Sequence, residues 1–409
     1  MIFKFYRAFG FVKLYSERQF NPIIKCIFVF NMKIGIVLYP TFGGSGIVAT
    51  ELGKELAKKG HCVHFITYQQ PVRLDIFQPN VYYHEVGKFD YPLFDYQPYE
   101  LALTSKLVDV TINEGLDLLH VHYAIPHASA AYFAQKILES KGVKIPFITT
   151  LHGTDITLVG KDPSFEPVIT FSINESNAVT VVSESLKQDT YNHFDITNDI
   201  EVIPNFIRHE NYKLDPNTVC KKSEFTPNGE RLICHISNFR KVKRVEDVLY
   251  AFAKIIETVP SKLLLVGDGP ERLKLEQLCR DLKICEHVKM LGKIQNVSDV
   301  LNMCDLFILP SLTESFGLAA LEALAAGVPV ISSNSGGLPE VNKHGYSGYL
   351  SLVGDTDEMA RYAISILESD EELAKFKKQA YEHSLNFGIE AILPKYVELY
   401  ERVCKVVKV

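Results

Sequence analysis

The chain has no global excess of positive charge, no long apolar run and no paired cysteines, and each absence removes a class of function. Its formal net charge is -6 over 409 residues, so there is no basic field to attract nucleic acid. No run of 18 consecutive apolar residues occurs, so no membrane-spanning helix is predicted. The eight cysteines, at 26, 62, 220, 234, 279, 285, 304 and 404, form no C-x-x-C pair. Zinc sites and disulfide frameworks are therefore not expected, and scattered thiols suit a reducing cytoplasm. Repeats and low-complexity tracts are absent too. What remains, 47% hydrophobic and 22% charged residues, describes a globular chain of two or three domains.

Residues 1–31 differ from the rest. Lys4, Arg7, Lys13, Arg18 and Lys25 stand against Glu17 alone, among many phenylalanines and tyrosines. A basic amphipathic segment at a membrane surface is one reading. A secretory signal fits poorly, because charges interrupt every apolar run. The favoured reading is an extension ahead of the folded protein, disordered or arising from a start codon placed too early. Met32-Lys33-Ile34-Gly35-Ile36-Val37 reads as the natural opening of a first β-strand.

From there strands and helices alternate. Strands are predicted over 33–39, 61–67, 116–122, 146–151, 178–182 and 201–203, with helices over 47–59 and 128–139 and another opening at Ser183. The polar segment 205–228 reads as a domain boundary. A second series follows, with strands over 231–236, 262–266, 288–291, 306–309 and 329–332. Helices over 357–369, 370–385 and 389–406 close the chain. The alternation predicts an α/β protein of two doubly wound, Rossmann-like domains facing a central cleft. They are residues 32–207 and 208–387, with a last helix, 388–409, packing back on the first.

Ligands of such sheets bind at the C-terminal ends of the strands. Glu314-Ser315-Phe316-Gly317-Leu318-Ala319-Ala320, closed by Glu322, follows an apolar strand ending at Pro310 and Ser311. A strand, a short loop and a helix start offer free N–H groups to an anion. With a helix start near Phe316, Glu314 and Glu322 stand about 12 Å apart along the axis. Two carboxylates acting on one glycosidic bond need about 5–9.5 Å. The pair suits instead a long ligand with hydroxyls at both ends, a nucleotide diphosphate sugar.

Asn238-Phe239-Arg240-Lys241-Val242-Lys243-Arg244 follows the strand 231–236. Such a charge run is usually a solvated surface. Between a strand and a helix, opposite the Glu314 loop, it would neutralise a diphosphate. Gly43-Gly44-Ser45-Gly46 is either a plain βα turn or a place for substrate to meet a helix N-terminus; it does not match the dinucleotide spacing. His152-Gly153-Thr154-Asp155 stands at another strand end. There His152 can donate to a sugar hydroxyl, or the Thr and Asp simply cap the next helix. His120 and His122 share one face of a strand. Core or supporting histidines are favoured over a metal pair, which lacks further ligands. Gly336-Gly337-Leu338-Pro339-Glu340 reads as helix-start chemistry, and no D-x-D metal motif accompanies the phosphate loops.

From Met32 to about Tyr400 the chain resembles glycosyltransferase family 4 of the GT-B fold, most specifically in the E-x7-E element from Glu314 to Glu322. Residues 43–53, 149–157 and 237–245 are similar to one branch of that family. Its members join N-acetylglucosamine from UDP-N-acetylglucosamine to the hydroxyl of L-malate, with retention, as the first step of bacillithiol biosynthesis. The resemblance implies that Glu322 holds the ribose hydroxyls. It implies that Glu314 and the amides of Phe316, Gly317 and Leu318 hold the sugar and the distal phosphate. Lys243 and Arg240 would bind the diphosphate, with His152 near the reaction centre. Gly44 and Asn238 would join the donor set, and the backbone at Gly292 and Lys293 would meet the uracil. Ser45, Tyr123, Thr150 and Asn205 would face malate. Many members carry the basic pair as R-x4-K; here Asn238 stands at the arginine position and Arg240 is offset.

No metal or cofactor is expected, a homodimer is a reasonable default, and the cytoplasm is the expected location. A family 4 transferase with another acceptor, a lipid-linked sugar or an inositol phosphate, is the main alternative. A UDP-N-acetylglucosamine 2-epimerase and a binding protein without turnover stand further off.

Overall fold

The computed structural model describes residues 31–40, 43–87, 98–158, 160, 162–213 and 218–407. The expectation for residues 1–31 falls, except for Asn31, outside them. The first sheet has seven strands: β1 (Lys33–Val37), β2 (Cys62–Thr67), β3 (Val81–Glu85), β4 (Leu118–His122), β5 (Phe147–Leu151), β6 (Ala178–Val181) and β7 (Ile200–Val202). Their order is β3-β2-β1-β4-β5-β6-β7, and all pair in parallel. The second sheet has six: β8 (Arg231–Ile236), β9 (Ser261–Val266), β10 (Val288–Gly292), β11 (Leu306–Leu309), β12 (Val330–Ser333) and β13 (Gly348–Ser351). Its order is β10-β9-β8-β11-β12-β13, again wholly parallel. In each sheet the chain winds outward, then crosses back past its first strand. That leaves a switch point between β1 and β4 and another between β8 and β11, where such folds bind ligands.

Burial explains the layers. Parallel strands covered on both faces are apolar throughout, and β5 is buried at every residue. Leu52 and Leu56 of the helix Gly44–Lys58 cover Ile34 and Ile36 on one face of the first sheet. Leu103, Leu107 and Ala134, from the helices Tyr99–Glu114 and Ser129–Ser140, cover Val37 and Val121 on the other. In the second sheet, Val248, Phe252, Met359 and Ala363 pack on Ile233, Leu263 and Ile308. Each buried large apolar side chain contributes roughly 1.5–3 kcal/mol.

The last helix, Ile389–Val407, brings Tyr396, Leu399 and Tyr400 onto the first sheet. The Tyr400 hydroxyl lies 2.7 Å from Nδ1 of His120, and Arg402 pairs with Glu201 at 2.5 Å. A further cluster joins the halves, with Leu151, Ile156 and Val181 packed in one core with Phe316, Leu321 and Leu338.

Three differences from the sequence reading have physical causes. The axial estimate assumed a helix start near Phe316, but the helix, read from the sequence over 318–326, begins at Leu318, because Gly317 adopts a left-handed φ of 97° just ahead of it. Residues 314–317 are thus not helical, and the axial estimate of Glu314–Glu322 separation does not apply. The segment 205–228 is not irregular throughout, since it holds a turn over His209–Tyr212 and a helix, Thr218–Phe225. The helix Tyr99–Glu114 was not predicted because its buried face includes Thr104 and Thr111, which blur the apolar stripe.

Candidate active site

The loops at the strand ends of the two sheets meet in the cleft. In the second half the loop from Ser311 to Gly317 is held by backbone on several sides. The Leu312 amide donates to Val242 C=O at 2.8 Å, and Gly337 N–H to Glu314 C=O at 2.8 Å. Gly336 crosses so close that a Cβ there would lie 2.0 Å from the Glu314 carbonyl oxygen, at a φ of 59°. The glycine pair ahead of Leu338 is therefore a seat for the Glu314 loop as well as helix-start chemistry. On this seat Lys243 Nζ reaches Glu314 Oε2 at 2.5 Å, and Ser311 Oγ donates to the same oxygen at 3.2 Å.

Two helix N-termini also converge here. The helix Leu318–Ala325 makes its first backbone bond from Leu321 N–H to Gly317 C=O. The helix Gly44–Lys58 makes its first from Ile47 N–H to Gly43 C=O. The amides ahead of each have no acceptor within their helix. A Cβ on Gly44 would stand 3.1 Å from Leu318 Cδ2, so the two positive helix ends face one another across the halves. Gly153 is closer still to the second half, where a Cβ would meet Ser315 Oγ at 1.7 Å. Together with Lys243 this is a site for a strongly charged anion.

Glu322 lies about one turn further along its helix. Tyr212 donates its hydroxyl to Glu322 Oε1 at 3.0 Å. Burial pushes the Glu322 carboxyl above its ordinary range, opposed by the Tyr212 hydrogen bond and the charge of Arg73. A cavity of about 390 Å³ opens beside it, walled by Arg73, Tyr212, Lys54, Arg208 and Asn296 among others. Arg208 is tied to Glu51 and Glu55 at 3.0 and 3.3 Å. A second cavity, about 480 Å³, opens at the first-half end of the cleft between Tyr39, Tyr123, Pro126, Asp155 and Phe165.

The first half supplies hydroxyl and imidazole groups and one buried carboxyl. Ser45 Oγ and Tyr123 Oη are 2.5 Å apart, and His152 Nε2 is 2.8 Å from His122 Nδ1. Burial lowers His152 to about 3 and raises Tyr123 to about 12. Asp155 is raised by burial to about 6. Its two oxygens accept from the Ala124 and Gly153 amides at 2.9 and 3.1 Å. It thereby ties the Tyr123 loop to the His152 loop, a role beyond capping the next turn.

The expected residues separate accordingly. Lys243, Glu314, Gly44, Gly317, Leu318, Ser45, Tyr123 and His152 converge on the cleft. The Phe316 side chain is buried against Phe387, leaving its backbone for a ligand. Asn238, Arg240 and Lys293 are exposed, and the Gly292 carbonyl accepts from Gly267 N–H at 2.8 Å. Thr150 is a correction. It is fully buried, with its hydroxyl shared between His120 and Thr180 at 2.7 and 2.6 Å. A hydroxyl so engaged inside the sheet braces β4, β5 and β6 rather than facing an acceptor. Asn205 is also buried, and its Oδ1 has no partner among the described residues.

Sequence reasoning missed Tyr212 and Arg73, and read Ser183 and Glu340 only as parts of helix starts. Tyr212 and Arg73 lie in segments without strand or helix periodicity, so nothing marked them. It also passed over Asp355-Thr356-Asp357, which does spell D-x-D. There Asp355 caps the helix Thr356–Leu367 and Asp357 pairs with Lys254 at 2.7 Å. Among the described residues no three His, Cys, Asp or Glu side chains gather as a metal site, and no helix is long and apolar enough to cross a membrane.

Known proteins resemble the chain over nearly its whole described length. Residues 42–211 match the profile of Glycosyltransferase Family 4, and residues 218–383 that of Glycosyl transferases group 1. The chain is 49% identical over 377 residues to the N-acetyl-alpha-D-glucosaminyl L-malate synthase of Bacillus anthracis, covering 92% of this chain and 98% of that protein. It is 27% identical to the gpi3 subunit of phosphatidylinositol N-acetylglucosaminyltransferase from Schizosaccharomyces pombe, covering 74% of this chain and 65% of that protein. The fold matches that of Anabaena Alr3699/HepE in complex with UDP and glucose, with TM-score 0.76, 20% identity, and coverage of 91% of this chain and 100% of that one.

Proposed function

The chain belongs to glycosyltransferase family 4, and from that premise we propose that it transfers N-acetylglucosamine from UDP-N-acetylglucosamine to the hydroxyl of L-malate, with retention. The observation that carries the reading is the convergence of Lys243 and two helix N-termini on one point of the cleft, in a chain 49% identical to an N-acetyl-alpha-D-glucosaminyl L-malate synthase. The bond from the anomeric carbon to the diphosphate oxygen breaks, and a bond from that carbon to the malate oxygen forms. The malate proton passes to the departing diphosphate, on the same face. Lys243 and the amides ahead of Leu321 and Ile47 stabilise the charge that gathers on the diphosphate. Protein cations and amides serve that need, so the proposed reaction is independent of divalent metal. Glu322, with Tyr212 on one oxygen, keeps its other oxygen for the ribose. Ser45 and Tyr123 orient the acceptor. Substrates of this kind and the free thiols of Cys62, Cys234, Cys279, Cys285 and Cys304 suit the cytoplasm.

A second reading is favoured by one observation. The wall of the 480 Å³ cavity includes Phe165 and Val168, both exposed and apolar, which suits a lipid-linked acceptor better than a dicarboxylate. The test is UDP release from UDP-N-acetylglucosamine by the purified protein, with and without L-malate, in EDTA. Malate-dependent release in EDTA is expected. Release that needs a lipid-linked acceptor, or a metal, overturns the corresponding part of the reading.

A further inference from the structure

His122 ends β4 beneath His152, and the role of this pair follows from hydrogen-bond accounting. The ring planes are 26° apart with centroids 5.1 Å apart, and Nδ1 of His122 faces Nε2 of His152 edge to edge at 2.8 Å. Burial depresses both, so both are neutral imidazoles. Each then carries one N–H, and the bond between them can be made in only two ways.

In the first, His122 donates from Nδ1, its Nε2 is a bare lone pair, and His152 carries its proton on Nδ1. In the second, His152 donates from Nε2, and His122 must carry an N–H on its own Nε2. That atom is buried without a partner. A buried orphan N–H is rarer and more costly than an under-used acceptor, so the first arrangement is favoured. The neighbouring His127 obeys the same rule. Its Nδ1 donates to the His122 carbonyl at 2.5 Å, and its Nε2 is likewise left buried as a bare nitrogen.

We propose that His122 is a positioning residue that fixes His152 in its Nδ1–H form, so that His152 presents a hydrogen-bond donor to the sugar and has no lone pair with which to act as a base. The sugar contact rests on the function proposed above; the tautomer does not. His152 Nδ1 has no hydrogen-bond partner among the described residues, which leaves it for a ligand. With His152 unable to take the malate proton, the departing diphosphate is its acceptor.

The first experiment is ¹⁵N NMR of histidine-labelled protein, with His152 identified by the loss of its signals in His152→Gln. A pyrrole-type Nδ1 and a pyridine-type Nε2 are expected for His152 between pH 6 and 8. The reverse assignment overturns the proposal whatever the substrate proves to be. The second compares two variants. His122→Asn keeps an N–H donor near the place of Nδ1, and His122→Phe keeps the ring without it. His122→Phe is expected to lower kcat by about tenfold or more, with KM for malate little changed, and to leave His152 in mixed tautomers. His122→Asn is expected to restore most of the activity. Equal impairment of both variants, with the His152 tautomer unaltered, would assign His122 a packing role only. A His152 signal that UDP-N-acetylglucosamine does not move would remove the sugar contact while leaving the tautomer intact.

Discussion

In the first half, the ends of β1, β4 and β5 and the loops after them carry Tyr39, His122, Tyr123 and His152. In the second half, the corresponding loops carry Arg240, Lys243 and Glu314. The two sheets wind in the same order outward from β1 and β8 and back past them, yet their sites differ in electrostatic character. Burial pushes Tyr39 and Tyr123 up to about 12 and His152 down to about 3, so these groups are uncharged at neutral pH, beside the buried carboxyl of Asp155, which is raised only to about 6. Lys243 and Glu314 remain partly accessible and meet as an ion pair. Topology fixes where a site lies; the depth of burial decides whether it holds charge or orients neutral hydroxyls. A transferase needs both kinds of site, since one substrate leaves as an anion and the other arrives as an alcohol.

Matched substitutions sharpen this contrast. Lys243→Ala is expected to lower kcat by roughly 10²–10³-fold, the size of losing a preorganised donor to developing charge. UDP affinity, measured by calorimetry, should fall much less. Tyr123→Phe removes a neutral contact to Ser45 and is expected to act mainly on KM for the acceptor, by about tenfold or less. If the two variants lost kcat equally, the division of labour between the halves would be wrong.

The same contrast has a pH signature. A histidine whose folded pKa lies below its unfolded value of about 6.5 binds protons more readily when unfolded. Its contribution to stability is therefore whole above about pH 6.5. It is lost as pH falls toward the folded values, about 3 for His120 and His152 and about 4 for His127. Asp155, raised to about 6, runs the other way, because its folded form takes up a proton first. Its contribution is present at low pH and lost as pH rises from its ordinary carboxylate range through about 6. The histidines outnumber it, so urea unfolding should show a net loss of about 2–4 kcal/mol between pH 7.5 and 5.5. His120→Asn together with His127→Asn should flatten that slope. An unchanged slope would mean that these histidines are not held neutral.

The fold was legible in the sequence because parallel strands advertise themselves as apolar runs, and β8 and β11 fall at the predicted residues. The place of Lys243 and Glu314 on strand-end loops was legible too, because glycine or cations stand beside them. Glu322 was singled out through its spacing from Glu314, but its hydrogen-bond partner Tyr212 was not, because it comes from the segment between the sheets. Thr150 misled for a related reason. A threonine near a strand's end reads as facing the cleft, and only the three-dimensional register of β4, β5 and β6 shows its hydroxyl taken by His120 and Thr180. Sequence periodicity reports which face a residue occupies and says nothing of which neighbour claims its polar atom.

The smallest expected effect concerns how the halves are held in register. Ser183, the N-cap of the helix Glu184–His193, donates to the Ser315 carbonyl at 2.6 Å. Glu340 accepts from the Glu184 and Ser185 amides at 2.9 Å each, one on either carboxylate oxygen. A carboxylate of the second half thus caps a helix of the first. It stands three residues beyond the glycine whose amide holds the Glu314 carbonyl. An exposed anion at a helix N-terminus contributes about 1 kcal/mol. Glu340→Ala should lower stability by about that amount and also lower kcat a few-fold, while UDP affinity stays within error. Glu340→Gln, which keeps an acceptor but loses the charge, should fall between. A loss of stability with kcat unchanged would make the contact a static brace. A loss of kcat in both variants that tracks the loss of stability would show that the neutral and charged halves act only while this contact holds them together.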